Sequence, residues 1–361
     1  MDVTDFMSRF DADDLGLSEF VRGQLLEGDK DLKGLKTELY KLNVYCQFHL
    51  IHNFRISSHA KGKGSFFKPH KDTPRSVDMI GSLVIIFPTP HKGGTLILRH
   101  DGQEYFFDPG REFSQVQKPS VAYVAFYSDV EHEVAIVESG YRVSLTYNLY
   151  VCDTQQQCIP SVPPDSVMLN ELKLKQALLD LLDEKTFLPE GGIIGFGLLH
   201  KYPVSKTTGS LESVLSCLKG SDAAIRRVCA SLGLDLKPKV LYKDSVLILV
   251  DNFVVLEYVE EESLETLLCE DDGFIVKSRG LKENGAGEFE NDFYGDPSEY
   301  QSQEVWWLTK RTELTRERTD FVAYYGNSPA LTLAYGDVVL IANVREHGNR
   351  QVSPKKRRRA S

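Results

Sequence analysis

The stretch FFKPHKDTPR, Phe66 to Arg75, sets His70 and Asp72 two residues apart. Residues i and i+2 of an extended strand point to the same side, so an imidazole nitrogen and a carboxylate oxygen can aim at one point. Alone, the pair reads more readily as two polar residues on the wet face of a strand. A second histidine, His132 in YSDVEHEVAIV, follows Asp72 by sixty residues at the mouth of another β-like run. Two imidazoles and one carboxylate cover one face of an octahedral ion and leave its other positions open, the donor set of non-haem Fe(II) oxygenases. The same three ligands could instead hold Zn2+ and an activated water for hydrolysis.

Ten residues past His132 comes Arg142, in GYRVSLTYN. Arg142, Ser144 and Thr146 alternate with Val143, Leu145 and Tyr147, which gives this strand a polar face in an apolar setting. A buried guanidinium is costly unless paired. Its fork of donors suits a carboxylate, either a structural Asp or Glu or the far end of a small dicarboxylate. A zinc hydrolase has no use for such a clamp, so Arg142 separates the two readings of the metal set.

An HxD pair, a distal His and an Arg ten residues later resemble the Fe(II)/2-oxoglutarate-dependent dioxygenases, most closely their prolyl 4-hydroxylase-like branch. The segments GSFFKPHKDTPR, GSLVIIFPTPHKGGTLILRH, VAYVAFYSDVEHEV and GYRVSLTYNLY are similar to a group of fungal members, strongly so from Lys41 to Val151. The resemblance implies a mainly β catalytic core, a double-stranded β-helix (jelly roll) with flanking helices. Fe(2+) would sit at its mouth on His70, Asp72 and His132, and Arg142 would pair with the C5 carboxylate of 2-oxoglutarate. The implied reaction uses O2, with ascorbate as reductant, and couples decarboxylation of 2-oxoglutarate to succinate with hydroxylation of a substrate. A prolyl or other protein side chain leads as substrate, and a small molecule stays open. Tyr45 resembles the tyrosine that precedes the HxD strand and touches the co-substrate, with Thr146 or Ser144 as its hydroxyl partner.

The elements that must position these residues are short. From Gly81 to Val151 the chain is a series of β-like runs, SLVIIFP, GGTLILRH, EYFFD, VAYVAFYSD, HEVAIV and YRVSLTYNLYV, separated by turn formers. Such spacing predicts an antiparallel sandwich or jelly roll. Residues 1–40 read as a helical segment, because Leu32, Leu35, Leu39 and Leu42 in DKDLKGLKTELYKL step by three and four. The catalytic domain is expected over 41–158, a proline-rich linker over 159–166, and an α+β region over 167–351. In that region LNELKLKQALLDLLDEKTF and SDAAIRRVCASLGL read as helices, the second capped by Ser221 or Asp222 and stopped by Gly233. The runs SVLILVDNFVVLEYV and LTLAYGDVVLIANV read as strands. No glycine-rich phosphate loop of the GxGxxG or GxxxxGKS kind occurs.

Cys46 to Lys61, CQFHLIHNFRISSHAK, interrupts the motif: without it KLNVYGKGSFFKPHKDTPR reads continuously. The segment reads as a retained intron or gene-model error, or as a tolerated loop, ahead of a metal site built from His49, His52 and His59. If real, it is expected to push Tyr45 away from the HxD strand, and it is the argument for a rival reading, an inactive oxygenase fold serving as a scaffold.

With 42% apolar and 26% charged residues the chain can build a core. Its net charge of −10 argues against a general nucleic-acid or anionic-membrane binder. The tail PKKRRR, within 352–361, is basic and resembles a nuclear-import signal. No secretory leader or membrane-length apolar run is read, and six cysteines without a CxxC pair fit a reducing, cytoplasmic or nuclear setting. His91 and His100 read as surface histidines at turns, Asp101 and Asp108 as turn residues, and Trp306 and Trp307 as packing.

Overall fold

The apolar runs between Gly81 and Val151 fold as strands of two facing sheets. The computed structural model describes residues 4, 6, 8, 10–26, 33–46, 66–115, 120–153, 165–243, 247–254, 273–281, 301–310 and 333–350. The chain divides into two units, Met1–Val162 and Pro163–Ser361.

The first unit contains α1 (Leu17–Leu25), β1 (Lys33–Cys46), β2 (Phe67–His70), β3 (Met79–Ile86), β4 (His91–Gly93), β5 (Leu96–His100), β6 (Gln103–Phe107), α2 (Pro109–Gln115), β7 (Ala122–Tyr127), β8 (Glu131–Val134) and β9 (Val137–Asp153). The major sheet runs β1-β9-β3-β7, with β4 also on β9, and the minor sheet runs β2-β8-β5-β6. Every pairing in both is antiparallel. Tyr45, Val84, Ile86, Phe126 and Val137 of the major sheet pack with Leu96, Leu98, Phe107 and Val134 of the minor sheet. This is the double-stranded β-helix, a sandwich whose inner faces make the core.

The outer face of the major sheet is covered as well, which is why all eight residues of β3 are buried. The N-terminal segment lies over it. Ser18 Oγ meets Thr37 Oγ1 at 3.4 Å, and Tyr147 Oη donates to the Phe10 carbonyl at 3.3 Å.

Among the described residues, the helical reading of 1–40 holds only for α1. Residues 33–46 form β1, a fourteen-residue strand on β9. A bulge between Leu39 and Lys41 explains the misreading. Leu35 and Leu39 share the outer face by even spacing, and the extra residue at Tyr40 returns Leu42 and Val44 to that face. The resulting steps of four and three imitate a helix. Leu32 lies outside the described residues, as do 47–65, which include nearly all of the interrupting segment.

The second unit contains α3 (Asp165–Asp183), β10 (Gly192–Gly197), β11 (Tyr202–Ser205), α4 (Gly220–Ser231), β12 (Lys237–Lys243), β13 (Leu247–Val250), β14 (Phe274–Gly280), β15 (Ser302–Thr309), β16 (Leu333–Gly336) and β17 (Val338–Val344). Six strands close a barrel in the order β10-β15-β14-β13-β12-β17, and β11 pairs with β16. Alternation along the strands sends Leu241, Leu249, Phe274, Val305, Trp307 and Val339 into one core. Val240, Ile248, Leu340 and Phe196 enter a second core with Leu178 and Leu182 of α3 and Ile225 and Val228 of α4. Trp307 is 1% exposed and Trp306 packs edge-on against Phe187, so both tryptophans are packing residues.

Three boundaries shift. Asp165 and Ser166 belong to α3 rather than to a linker. The strand in SVLILVDNFVVLEYV ends at Val250, and 255–259 lie outside the described residues. Helix α4 starts after Lys219, without a side-chain cap. Asp222 does not cap it because its carboxylate accepts from the Leu199 and His200 amides and the Tyr202 hydroxyl instead. Gly233 does follow the helix at φ 72°, the left-handed geometry that ends it. No helix among the described residues is long and apolar enough to cross a membrane.

Candidate metal centre

Strand pairing brings the two histidines together. His70 closes β2, His132 lies in β8, and the register sets them directly opposite each other. Their ring centroids are 4.1 Å apart. Each Nδ1 faces a carbonyl two residues back, Lys68 O at 2.9 Å for His70 and Val130 O at 3.1 Å for His132. A carbonyl only accepts, so each Nδ1 carries the proton and each Nε2 keeps a lone pair for a metal. Burial, and then the neighbouring His132, hold the His70 pKa down at about 4, so its imidazole is neutral as a ligand must be. Phe67 and Phe126 flank the pair, with centroids 4.3 Å from His70 and 4.7 Å from His132.

Asp72 lies two residues beyond the end of β2, in a connection rather than on the strand. Its placement therefore rests on hydrogen bonds. Its amide donates to Ser128 O at 3.2 Å, and its Oδ2 accepts from Ser82 Oγ at 2.7 Å. Oδ1 is left facing His132 Nε2 at 3.7 Å. One ligand atom from each of His70, Asp72 and His132 lies within 4.8 Å of the others. Two neutral nitrogens and one carboxylate on one side of a point fit a divalent ion with open positions.

Arg142 is 1% exposed. Its Nη1 donates to Ser144 Oγ at 3.3 Å, while Nε and Nη2 have no hydrogen-bond partner. Burial pulls the guanidinium pKa below its usual value, and the Tyr45 phenol beside it opposes that only in part. A structural Asp or Glu partner, the rival reading of this arginine, is absent among the described residues. Leaving such charged donors unmet costs more than the about 1–3 kcal/mol of a neutral group. The fit to an incoming carboxylate is therefore direct: the two orphaned donors are what its oxygens would satisfy.

Tyr45 pairs with Arg142 across β1 and β9, and the guanidinium carbon stands 5.4 Å from its ring centroid. The tyrosine is thus inside the core beside Arg142. The two hydroxyls foreseen beside it each accept one hydrogen bond. Ser144 faces Arg142, and Thr146 Oγ1 accepts from Asn43 Nδ2 at 3.1 Å.

Two residues that shape the site carry little signal in the sequence. Ser82 is one polar residue in the apolar run GSLVIIF, and only the fold reveals that it holds Asp72. Gly94 has φ +71°, and a Cβ there would lie 2.8 Å from Arg142 Cδ. The glycine pair in PTPHKGG is the available clue. His91 lies within β4 and His100 ends β5, both half-buried rather than at surface turns. Asp101 is a turn residue with φ 46°, and Asp108 Oδ1 accepts from the Arg111 amide at the start of α2.

Residues 54–150 match the 2OG-Fe(II) oxygenase superfamily. No curated protein sequence matches the chain. Among solved structures, a 2OG-Fe(II) oxygenase-family oxidoreductase from Burkholderia pseudomallei is 18% identical over 37% of this chain and 51% of its own, with a TM-score of 0.26. A Pseudomonas putida prolyl-4-hydroxylase is 21% identical over 33% and 54%, with a TM-score of 0.22. A Trichoplax adhaerens prolyl hydroxylase, solved with a hypoxia inducible factor oxygen degradation domain peptide, is 20% identical over 33% and 46%, with a TM-score of 0.22. The chain spans about half the length of these structures.

Proposed function

We propose, on the premise that residues 54–150 are a 2OG-Fe(II) oxygenase segment, that the first unit is a dioxygenase that hydroxylates a protein side chain. The observation that carries this reading is Arg142, buried with two unmet donors on a strand of the same sandwich as the His-Asp-His set. A hydrolytic zinc site would leave that cost without a return. A scaffold that had lost turnover would have no reason to keep both the ligand set and an unpaired buried cation.

In this reading His70, Asp72 and His132 hold Fe(II), and Arg142 with Ser144 receives the far carboxylate of 2-oxoglutarate. Bound together, the ion and co-substrate supply the oxidising chemistry with O2. The chain's own part is placement. Ser82 fixes the carboxylate ligand, the Lys68 and Val130 carbonyls fix the two imidazoles, and the buried Phe126 keeps water from one side of His132. Tyr45 fills the wall beside Arg142 and offers a hydroxyl to the co-substrate.

The test is succinate release from 2-oxoglutarate after anaerobic loading with Fe(II) and admission of air. Turnover in the wild type that disappears in His70→Ala is the expected result. No turnover, with and without Cys46 to Lys61, would sink the enzyme reading. Equal turnover in His70→Ala would remove the ligand assignment.

A further inference from the structure

The inner face of β9 reads, in order, Arg142, Ser144, Thr146, Asn148 and Tyr150. The register sets Ser82 opposite Asn148, and Ser82 holds the Asp72 carboxylate. The metal ligands therefore lie at the level of Asn148. The Arg142 pocket is on one side of that level, and Tyr150 is on the other. A co-substrate spanning from Arg142 to the metal fills the first side, so another molecule must come to the metal from the second.

That second side is a shelf of cations and phenol rings. Lys36 pairs with Tyr150 across β1 and β9, and its Nζ stands 5.9 Å from the ring centroid. Asn148 Nδ2 donates to Tyr150 Oη at 3.3 Å. Arg75, three residues past Asp72, donates to Tyr40 Oη at 2.8 Å, with its guanidinium carbon 4.4 Å from that ring centroid. Lys41, opposite Thr146 and so on the Arg142 side of that level, reaches the same ring from there, with its Nζ 5.6 Å from the centroid. The charges of Arg75, Lys36 and Glu38 all act on the Tyr150 phenol, which places them around it.

Glu38 is the carboxylate on this shelf, and it meets Lys36 at 3.3 Å. Asp78 is exposed nearby, its carbonyl accepting from the Val151 amide. Neither Arg75 nor Lys41 has a carboxylate partner among the described residues. In a chain of net charge −10, an excess of cations beside the metal centre selects for an anionic visitor. Three cations tempered by a carboxylate are too few to track a phosphate backbone, whose binding rests on many neutralised charges. Phenol faces suit apolar and proline side chains instead.

We propose that the shelf of Lys36, Tyr40, Lys41, Arg75 and Tyr150 binds an acidic peptide segment and so brings its target side chain to the metal. The delivery part rests on the oxygenase reading; the binding part does not.

Three short fluorescein-labelled peptides with a central proline, flanked by glutamates, glutamines or lysines, test it by anisotropy on the full chain. The glutamate peptide should bind about tenfold tighter than the glutamine one, with the gap shrinking as salt is added. The double variant Lys36→Glu/Arg75→Glu should lose that gap while its melting temperature and its affinity for 2-oxoglutarate stay unchanged. Equal binding of all three peptides overturns the proposal, and so does an unchanged gap in the double variant. Tighter binding of a labelled single-stranded oligonucleotide than of the glutamate peptide assigns the shelf to nucleic acid and also overturns it. Charge preference without succinate release supports the shelf and rejects the oxygenase. Succinate release without charge preference does the reverse.

Discussion

Ser82 Oγ donates to Asp72 Oδ2 at 2.7 Å and so turns Oδ1 toward His132 Nε2, 3.7 Å away. Asp72 stands past the end of its strand, so this hydroxyl replaces the sheet as its support. Partners of this kind orient a ligand, and losing one costs about 10–100-fold in metal affinity. Ser82→Ala should weaken Mn(II) or Fe(II) binding by that factor, measured by titration, with the circular dichroism spectrum unchanged. Wild-type affinity in the variant would show that the Asp72 amide bond to Ser128 suffices.

On the proposed reading, Arg142 has opposite effects on folding and on binding. Its two unmet buried donors burden the protein without co-substrate. Arg142→Met keeps the length and removes the charge, at the loss of one bond to Ser144 and the ring contact with Tyr45. The unfolding free energy of the unliganded variant, read from its denaturant midpoint, should rise by about 1 kcal/mol or more. Affinity for 2-oxoglutarate should fall by about 30-fold or more, the equivalent of 2 kcal/mol. A variant less stable than wild type would mean that the guanidinium is already satisfied.

Much of the candidate site was legible because metal and carboxylate chemistry would demand particular residue types. His70, His132 and Arg142 stand on strands whose alternation places them, and the sequence shows both type and alternation. Ser82 was not legible, since its role depends on a loop ten residues earlier folding back beside it. β1 was misread for a different reason. Leucine steps of four and three describe a helix face and equally a strand with one bulge, and only pairing with β9 decides between them. Asp222 followed the same logic: a helix-start residue by position, it was claimed by the amides of Leu199 and His200, which are remote in sequence.

Tyr45 separates packing from contact with the co-substrate. Its ring is 8% exposed and packs with Leu96, Val134 and Val137. Tyr45→Ala should cost about 3–5 kcal/mol, as other large-to-small aromatic truncations do. Tyr45→Phe keeps the ring and should leave the melting temperature in place, while the KM for 2-oxoglutarate rises. An unchanged KM would confine Tyr45 to a packing role.

Gly94 tests how tightly the Arg142 stem is held. Its φ of +71° disfavours any side chain, and an added Cβ would lie 2.8 Å from Arg142 Cδ and 3.0 Å from Val137 Cγ2. Gly94→Ala should destabilise the first unit by about 1 kcal/mol or more and weaken 2-oxoglutarate binding as well. The coupled loss is the diagnostic. Stability lost without affinity would mean that the arginine stem moves aside freely.

Asp222 gives the second unit a pH signature. The carboxylate is 1% exposed and accepts from Leu199 N and His200 N, each at 3.0 Å, and from Tyr202 Oη at 2.8 Å. Burial nevertheless raises its pKa above the usual carboxylate value. An acid that holds its proton more tightly folded than unfolded contributes stability at low pH. That contribution is lost as pH rises from the unfolded pKa through the raised folded one. Asp222→Asn should be less stable than wild type, because one amide oxygen cannot serve all three donors. Its deficit should narrow as pH rises across that window, since the variant has no proton to lose. Both tryptophans of the chain, Trp306 and Trp307, lie in the second unit's barrel, so urea unfolding followed by tryptophan fluorescence reports on this unit. A deficit that widens with rising pH would show that the three hydrogen bonds outweigh burial and that the carboxylate is held ionised.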